Sequence, residues 1–74
     1  MLTKIQEIIR NYKDDDSVVI TEDTKLTTEL GLSSIDFLSL FIEIEDEYGV
    51  KIPDQQMAAF QTVGDVIAYL EGQL

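Results

Sequence analysis

Cysteine and histidine are both missing from this 74-residue sequence, and each absence excludes a class of site. Without cysteine the chain has no disulfide, no thiolate zinc site and no cysteine nucleophile. Without histidine the usual general base is gone, so a Ser–His–Asp hydrolase within this chain is excluded. The run Asp14–Asp16 is not a calcium loop, because glycine and glutamate do not follow at EF-hand spacing. We therefore expect no metal site, and a solvated turn at these aspartates.

Long apolar runs are missing as well. No segment is long enough to span a membrane, and the N-terminal residues MLTKIQEIIR lack a signal-peptide core. We therefore expect a cytoplasmic protein without membrane contact. The length predicts one domain, 1–74, and the apolar fraction of 45% is enough for a core. A domain this small buries only about 60% of its unfolded surface, so we expect modest stability.

Basic residues are scarce and unevenly placed. Five bases stand against fifteen acids, which gives a net charge of −10, and only Lys51 follows residue 28. Residues 34–48 contain five acids and no base. Such a surface repels nucleic acid and attracts proteins with basic patches. The alternative interpretation is an ordinary charge that keeps the protein soluble.

The apolar spacing at both ends of the chain predicts helices. Residues 2, 5, 8, 9 and 12 are apolar or aromatic at three- and four-residue steps, which indicates a helix from Thr3 to Tyr12. Thr62, followed by Asp65, starts the last helix, although Gly64 weakens its first turn. Its apolar stripe consists of Val63, Val66, Ile67 and Leu70.

The middle of the chain contains a long loop and two further helices. Residues 13–33 show no sustained period, but spaced apolar residues predict that this loop is pinned across a bundle: Val18, Val19, Ile20, Leu26, Leu30 and Leu32. A short strand at 17–21 is the alternative. The strongest helix is Ser33–Tyr48, closed by Gly49, and Asp54 caps a short helix through Phe60. The fold class is all-α, with three main helices and a short one.

The central helix is apolar around an unusually wide arc. On a helical wheel its apolar residues cover roughly 220°, whereas one core-facing stripe needs about 100°. A group of five suits the core: Phe37, Leu40, Phe41, Ile44 and Tyr48. Three more, Ile35, Leu38 and Ile42, border polar residues at the edge of the arc. These three either contact surrounding helices or are exposed apolar anchors with an acidic rim, as in a transient protein interface.

Two serines stand where the central helix begins. If Ser33 is the N-cap, Ser34 is the first helical residue and its hydroxyl is not needed for capping. That hydroxyl would lie in solvent beside unpaired first-turn N–H groups, where phosphate binds well. An isolated serine at a helix start can also be of no consequence.

The ordered features from about Leu26 to Leu70 resemble the acyl carrier proteins. The matching segments are ELGLSSIDFLSLFIEIEDEYGVKIPD and the final TVGDVIAYLEGQL, together with the length, the acidity and the long first loop. The resemblance implies a four-helix bundle that carries 4′-phosphopantetheine on Ser34 as a phosphodiester. The thiol of that arm would hold an acyl chain as a thioester. The protein would then be a monomeric carrier without catalytic residues, not an enzyme.

The resemblance also implies partners. A phosphopantetheinyl transferase would move the arm from coenzyme A, and acyl-processing synthase enzymes would present basic patches to the central helix. The implied partner-binding residues are Ile35, Asp36, Leu38, Ile42, Glu45 and Asp46, which favours the interpretation of the edge residues as exposed anchors. The acyl chain would lie between the helices, where the residues that line or fill the space are Phe37, Phe41, Ile44 and Ile67.

Several positions depart from the family pattern. Ser33 stands where aspartate is most common, and Ser39 stands where an acid is common. Phe37 and Phe41 are bulky for a bundle that must open for a chain. Polyketide synthesis therefore fits as well as fatty acid synthesis. Two alternatives stay open: an unmodified acidic interaction module of the same fold, which would not need the Ser34 hydroxyl, and an aminoacyl or peptidyl carrier.

Overall fold

Four α-helices make up the fold in a computed structural model that describes residues 1–15 and 17–74. The predicted all-α class, with three main helices, one short helix and a long first loop, is confirmed. None of the helices in the described part of the chain combines the length and the hydropathy of a membrane span. The helices are α1 (Leu2–Lys13), α2 (Ser34–Tyr48), α3 (Asp54–Ala59) and α4 (Val63–Gln73).

The predicted starts of α2 and α4, and the predicted end of α2, are confirmed in detail. The Ser33 hydroxyl accepts the Asp36 backbone N–H at 3.2 Å, and the Asp36 carboxylate accepts the Ser33 N–H at 3.1 Å. Thr62 and Asp65 form the same reciprocal pair at the start of α4, at 3.2 and 3.1 Å. Gly49 ends α2 in the left-handed conformation, with φ 66°. These pairs satisfy N–H groups that a helix leaves without intrahelical partners.

The predicted start of α3 is wrong by one residue. Pro53 precedes the helix as its N-cap without a side-chain hydrogen bond, and Asp54 is the first helical residue. The Pro53 carbonyl accepts the Gln56 N–H at 2.9 Å, so the turn already begins at the proline. Asp54 is left in the first turn, where its charge is favourable to the helix dipole. The helix ends at Ala59.

One core joins all four helices to the long loop. Every helix contributes one face, and Phe41, Val63 and Leu70 are completely enclosed. The other buried apolar residues are Ile5, Ile9, Ile20, Leu26, Leu30, Leu32, Leu40, Ile44, Ile52, Met57, Phe60, Val66 and Ile67. The predicted apolar stripe of α4 is therefore confirmed as a buried face.

The long loop is pinned by its apolar residues, as predicted, with one exception. Val18 is half-buried, but Val19 is 80% exposed and does not pin the loop. The alternative strand at 17–21 is wrong, since this segment forms no strand. The spacing suggested neither point, because a loop without a regular period does not reveal which side each residue faces. The buried anchors are Ile20, Leu26, Leu30 and Leu32.

The aspartate-rich turn follows α1 directly. Asp14 closes the helix in the left-handed conformation, with φ 54°. The Asp15 carboxylate accepts the Ser17 N–H at 2.9 Å and the Ser17 hydroxyl at 2.6 Å, and these bonds lower the pKa of Asp15. Both aspartates are exposed, in keeping with a solvated turn, and Asp16 lies outside the described residues.

Polar side chains of α1 hold the loop by its carbonyl groups. The Gln6 amide donates to the Ile20 carbonyl at 2.7 Å, and the Lys13 ammonium donates to the Leu30 carbonyl at 2.8 Å. Because a buried or half-buried loop must still satisfy its backbone groups, these bonds replace the ladder of a regular element. They connect α1 to both halves of the loop.

The loop also pairs with the backbone at the start of α4. The Leu26 N–H donates to the Gln61 carbonyl at 2.9 Å, and the Gly64 N–H donates to the Glu22 carbonyl at 2.7 Å. A Cβ atom on Gly64 would lie only 2.9 Å from that carbonyl oxygen. Gly64 therefore permits the close approach of the loop, while its weakening of the first turn of α4 stays a prediction.

Candidate functional site

Ser34 stands at the junction where the loop becomes α2. Gly31, with φ 65°, turns the chain, and the buried side chain of Leu32 anchors it. Ser33 then uses its hydroxyl for the cap, and Ser34 is exposed as the first residue of α2. Within residues 1–15 and 17–74 the Ser34 hydroxyl has no hydrogen-bond partner, so it is available for chemistry.

A cleft of about 400 Å³ lies beside Ser34, between the first turns of α2 and the α3 segment. Its volume is within the range of about 300–1,000 Å³ that is usual for small-molecule sites. Most of its lining is apolar, and Ser33 and Ser34 are among its polar residues. The remaining lining residues are Thr27, Leu32, Phe37, Leu38, Asp54, Met57, Ala58 and Phe60.

Only one of the four residues predicted to line or fill the space for an acyl chain lies at the cleft. Phe37 lines the cleft, but Phe41, Ile44 and Ile67 are buried in the core and do not line it. The Phe37 and Phe41 rings pack edge to face, with centroids 4.7 Å apart. The two phenylalanines therefore help to fill the interior, and the open space lies towards α3. Met57 and the other α3-side lining residues were not found from the sequence, although the three-residue step from Met57 to Phe60 was a signal.

The structure shows whether the apolar residues at the edge of the wide arc of α2 are covered by other helices or exposed. Ile35, Leu38 and Ile42 are 75%, 51% and 55% exposed, so they do not belong to the core. Asp46 is exposed on the same helix. The predicted core group is buried or half-buried: Phe37, Leu40, Phe41, Ile44 and Tyr48. These three apolar side chains thus lie in solvent on the same helix as the exposed Asp46.

Two of the acids that the resemblance assigns to partner binding also make bonds within the chain. Asp36 accepts the Tyr12 hydroxyl at 2.7 Å on one carboxylate oxygen, and the Ser33 N–H on the other. The Tyr12 hydrogen bond, followed by those from Ser33, holds the pKa of Asp36 below its ordinary value. Glu45 is half-buried, and its carboxylate accepts the Ile52 N–H at 2.6 Å.

The charge of α2 is balanced very little by bases. Lys4 lies 4.0 Å from Glu47 and 3.7 Å from Glu7, and these are the only ion pairs in the described part of the chain. Both pairs are well exposed, so each contributes little to stability. The last turn of α2 contains no base. The acidic surface predicted from the sequence is therefore largely open to a basic partner.

Comparison with known proteins agrees with this arrangement. Residues 3–70 match the phosphopantetheine attachment site family. The chain is 35% identical over all 74 residues to an acyl carrier protein of Thermotoga maritima and covers 91% of its length. The chain is also 35% identical over 71 residues to a meromycolate extension acyl carrier protein of Mycobacterium tuberculosis. That match covers 96% of this chain and 62% of the Mycobacterium protein.

The fold also matches the solved structure of an acyl carrier protein. A solved structure, a putative acyl carrier protein from Mycobacterium tuberculosis, superposes with a TM-score of 0.90 and 28% sequence identity. The match covers 97% of this chain and 96% of that one. The cofactor that the resemblance implied, covalent 4′-phosphopantetheine, is confirmed by the family match. With a matching sequence and a matching fold over nearly its whole length, the chain belongs to the phosphopantetheine-binding family of acyl carrier proteins.

Proposed function

We propose that this chain carries acyl intermediates as thioesters on a 4′-phosphopantetheine arm joined to Ser34, for fatty acid or polyketide synthesis. The observation that carries the proposal is the exposed, unbonded Ser34 hydroxyl on the first turn of α2, beside a mostly apolar cleft. When bound, the arm supplies the thiol that holds the acyl group. The protein acts as a carrier and not as an enzyme.

The residues around Ser34 fit a phosphodiester. The backbone N–H groups of Ser34 and Ile35 form no hydrogen bond within the described residues, because the Ser33 cap uses the N–H of Asp36 and the Ser33 carbonyl accepts that of Phe37. Free N–H groups at a helix N-terminus bind phosphate oxygens, and the helix dipole favours their negative charge. Ser33 leaves this end of the helix without the extra carboxylate that an aspartate would add.

The cleft offers shelter to part of an acyl chain. It is lined by apolar side chains from α2 and the α3 segment, whereas the interior between α2 and α4 is filled. An apolar chain is more stable in contact with such side chains than in water. We therefore assign the first part of the cargo to the cleft. A relative named for meromycolate extension supports a fatty acyl cargo.

The docking face consists of Ile35, Asp36, Leu38, Ile42, Glu45 and Asp46. It combines three exposed apolar anchors with acids on the same helix. Apolar anchors supply contact area, and the acids speed the encounter with a basic patch. We assign this face to a phosphopantetheinyl transferase and to acyl-processing enzymes with basic patches.

Loading with the cofactor tests the proposal directly. The wild-type protein, incubated with coenzyme A, magnesium and a broad-specificity transferase, should gain one phosphopantetheine by intact-mass measurement. Ser34→Ala should gain none. The matched variant Ser33→Ala loses the α2 cap, which is worth about 1 kcal/mol, but should still be loaded. An arm on Ser33, or no loading by any transferase, would contradict the proposal, and the second result would favour an unmodified interaction module.

A further inference from the structure

A single hydrogen bond between side chains joins α1 to α2 in the described part of the chain. The Tyr12 hydroxyl, on the last turn of α1, donates to a carboxylate oxygen of Asp36 at 2.7 Å. The two residues are 24 positions apart in the sequence. A further polar contact between these helices is the exposed ion pair of Lys4 with Glu47, near the opposite end of α2. The Tyr12 bond therefore acts at the end of α2 that presents Ser34.

The bond completes a fixed arrangement of the Asp36 carboxylate. One of its oxygens accepts the Tyr12 hydroxyl, and the other accepts the Ser33 N–H at 3.1 Å. A carboxylate held at both oxygens cannot rotate freely about its side-chain bonds. Each oxygen has two lone pairs, so each keeps one acceptor site for a further donor. Asp36 is thus oriented by its own protein while it remains able to accept a partner's basic group.

The electrostatics of the pair agree with this geometry. The hydrogen bond to Asp36 is the main reason that the pKa of Tyr12 is raised, and the same bond is the main reason that the pKa of Asp36 is lowered. Ser39, one turn further along α2, acts on the same hydroxyl and lowers the pKa of Tyr12. At neutral pH the tyrosine is therefore a donor and the aspartate is a charged acceptor.

We propose that Tyr12 is a positioning residue for partner binding: its hydroxyl holds the Asp36 carboxylate in the orientation in which the transferase and the acyl-processing enzymes bind it. This inference rests on the proposed carrier function and adds a residue of α1 to the determinants of the docking face. A preoriented charge binds more tightly than a mobile one, because less side-chain freedom is lost in the complex. Tyr12 is not among the residues that line the cleft beside Ser34.

Kinetics of loading give the first test. Initial rates are measured with the transferase, saturating coenzyme A and magnesium, and a range of carrier concentrations. Tyr12→Phe should raise the KM for the carrier by about two- to tenfold and leave kcat within about twofold, since uniform binding is lost. Tyr69→Phe is the matched control, because its hydroxyl donates to the Lys51 carbonyl instead. In an Asp36→Ala background, Tyr12→Phe should cause no further rise.

Amide hydrogen exchange gives a second measurement that does not depend on the enzyme. Exchange of the Ser33 N–H should become faster in Tyr12→Phe, because Asp36 holds that N–H less firmly. The Thr62 N–H is the internal control, since Asp65 accepts it at the same distance of 3.1 Å without a tyrosine. Its exchange should not change.

The possible outcomes separate the two proposals. An unchanged KM in Tyr12→Phe, an equal rise of KM in the Asp36→Ala background, or unchanged Ser33 exchange would each overturn the positioning role while wild-type loading upholds the carrier function. A wild-type protein that is never loaded would overturn the carrier function and this inference together. A raised KM that depends on Asp36, with faster Ser33 exchange, would establish the role.

Discussion

Replacing Gly64 with alanine sets two effects of known direction against each other. Alanine is favoured over glycine inside a helix by about 1 kcal/mol, so helix propensity alone predicts a more stable protein. The new Cβ would, however, lie 2.9 Å from the Glu22 carbonyl oxygen. That oxygen belongs to the backbone, so the loop itself must move away. Movement also lengthens the hydrogen bond from the Gly64 N–H to the same carbonyl, now 2.7 Å.

Typical magnitudes of these effects predict whether Gly64→Ala stabilises or destabilises the protein. Overpacking of this kind costs about 1–3 kcal/mol, and a weakened backbone hydrogen bond costs about 0.5–1.5 kcal/mol. After the propensity gain is subtracted, Gly64→Ala should lower the free energy of unfolding by about 0.5–3.5 kcal/mol. For a domain of this size each kcal/mol shifts Tm by about 4–8 °C, so the change is readily measured.

Thermal and urea unfolding, followed by circular dichroism, provide the assay. Gly72→Ala is the matched control, because Gly72 also lies in α4 but a Cβ there would meet no atom within 4 Å. This control should be as stable as the wild type or more stable, by up to about 1 kcal/mol. Equal stability gains in both variants would refute the reasoning, since they would mean that the loop does not press against the start of α4.

Two further predictions concern carboxylates that hold backbone N–H groups. The pKa values of Asp36 and Asp65 are lowered from the ordinary value of 3.8, mainly by the hydrogen bonds from Tyr12 and from the Gln61 N–H respectively. Their contribution to stability is therefore complete above about pH 3.8, and it is lost as the pH falls through the lower pKa values of the folded state. The urea concentration at the midpoint of unfolding should therefore decrease when the pH is lowered below about 3.8. Asp36→Asn and Asp65→Asn should each make this decrease smaller. If either variant shows the same pH dependence as the wild type, the hydrogen bonds of that carboxylate do not contribute to stability. Glu45→Ala should cost about 1–3 kcal/mol, because it leaves the Ile52 N–H without its acceptor, whereas exposed Glu43→Ala should stay within about 0.5 kcal/mol. Urea unfolding of both variants provides the measurement, and equal losses would mean that Glu45 is only a surface charge.

Local features of the fold were predictable because they depend on neighbouring residues. Ser33 with Asp36, and Thr62 with Asp65, start helices through bonds that span three positions, and Gly49 ends α2 through its own backbone conformation. The split of the α2 arc into buried and exposed residues also follows from helical periodicity. What a wheel alone did not decide was whether the edge residues are covered by other helices.

Features that join distant parts of the chain were not predictable in the same way. The bond of Tyr12 to Asp36 depends on the packing of α1 against α2, and the bond of Glu45 to Ile52 depends on how the chain turns after α2. No period or cap signals either contact. The cleft was missed in its α3 part for the same reason, because α3 has only six residues and its position is set by tertiary contacts.

The acids are distributed unevenly along α2. Four of the five acids of this helix, Glu43, Glu45, Asp46 and Glu47, lie in its last two turns, where they are unfavourable to the helix dipole. In the described part of the chain only one of them, Glu47, pairs with a base, through the exposed contact with Lys4 at 4.0 Å. The end with Ser34 carries one acid, Asp36, and within the described residues the N–H groups of Ser34 and Ile35 form no hydrogen bond. Most of the negative charge of α2 is therefore concentrated at the end opposite Ser34. We expect an enzyme with an asymmetric basic patch to be oriented by this uneven charge before contact, so that the arm proposed on Ser34 faces its active site.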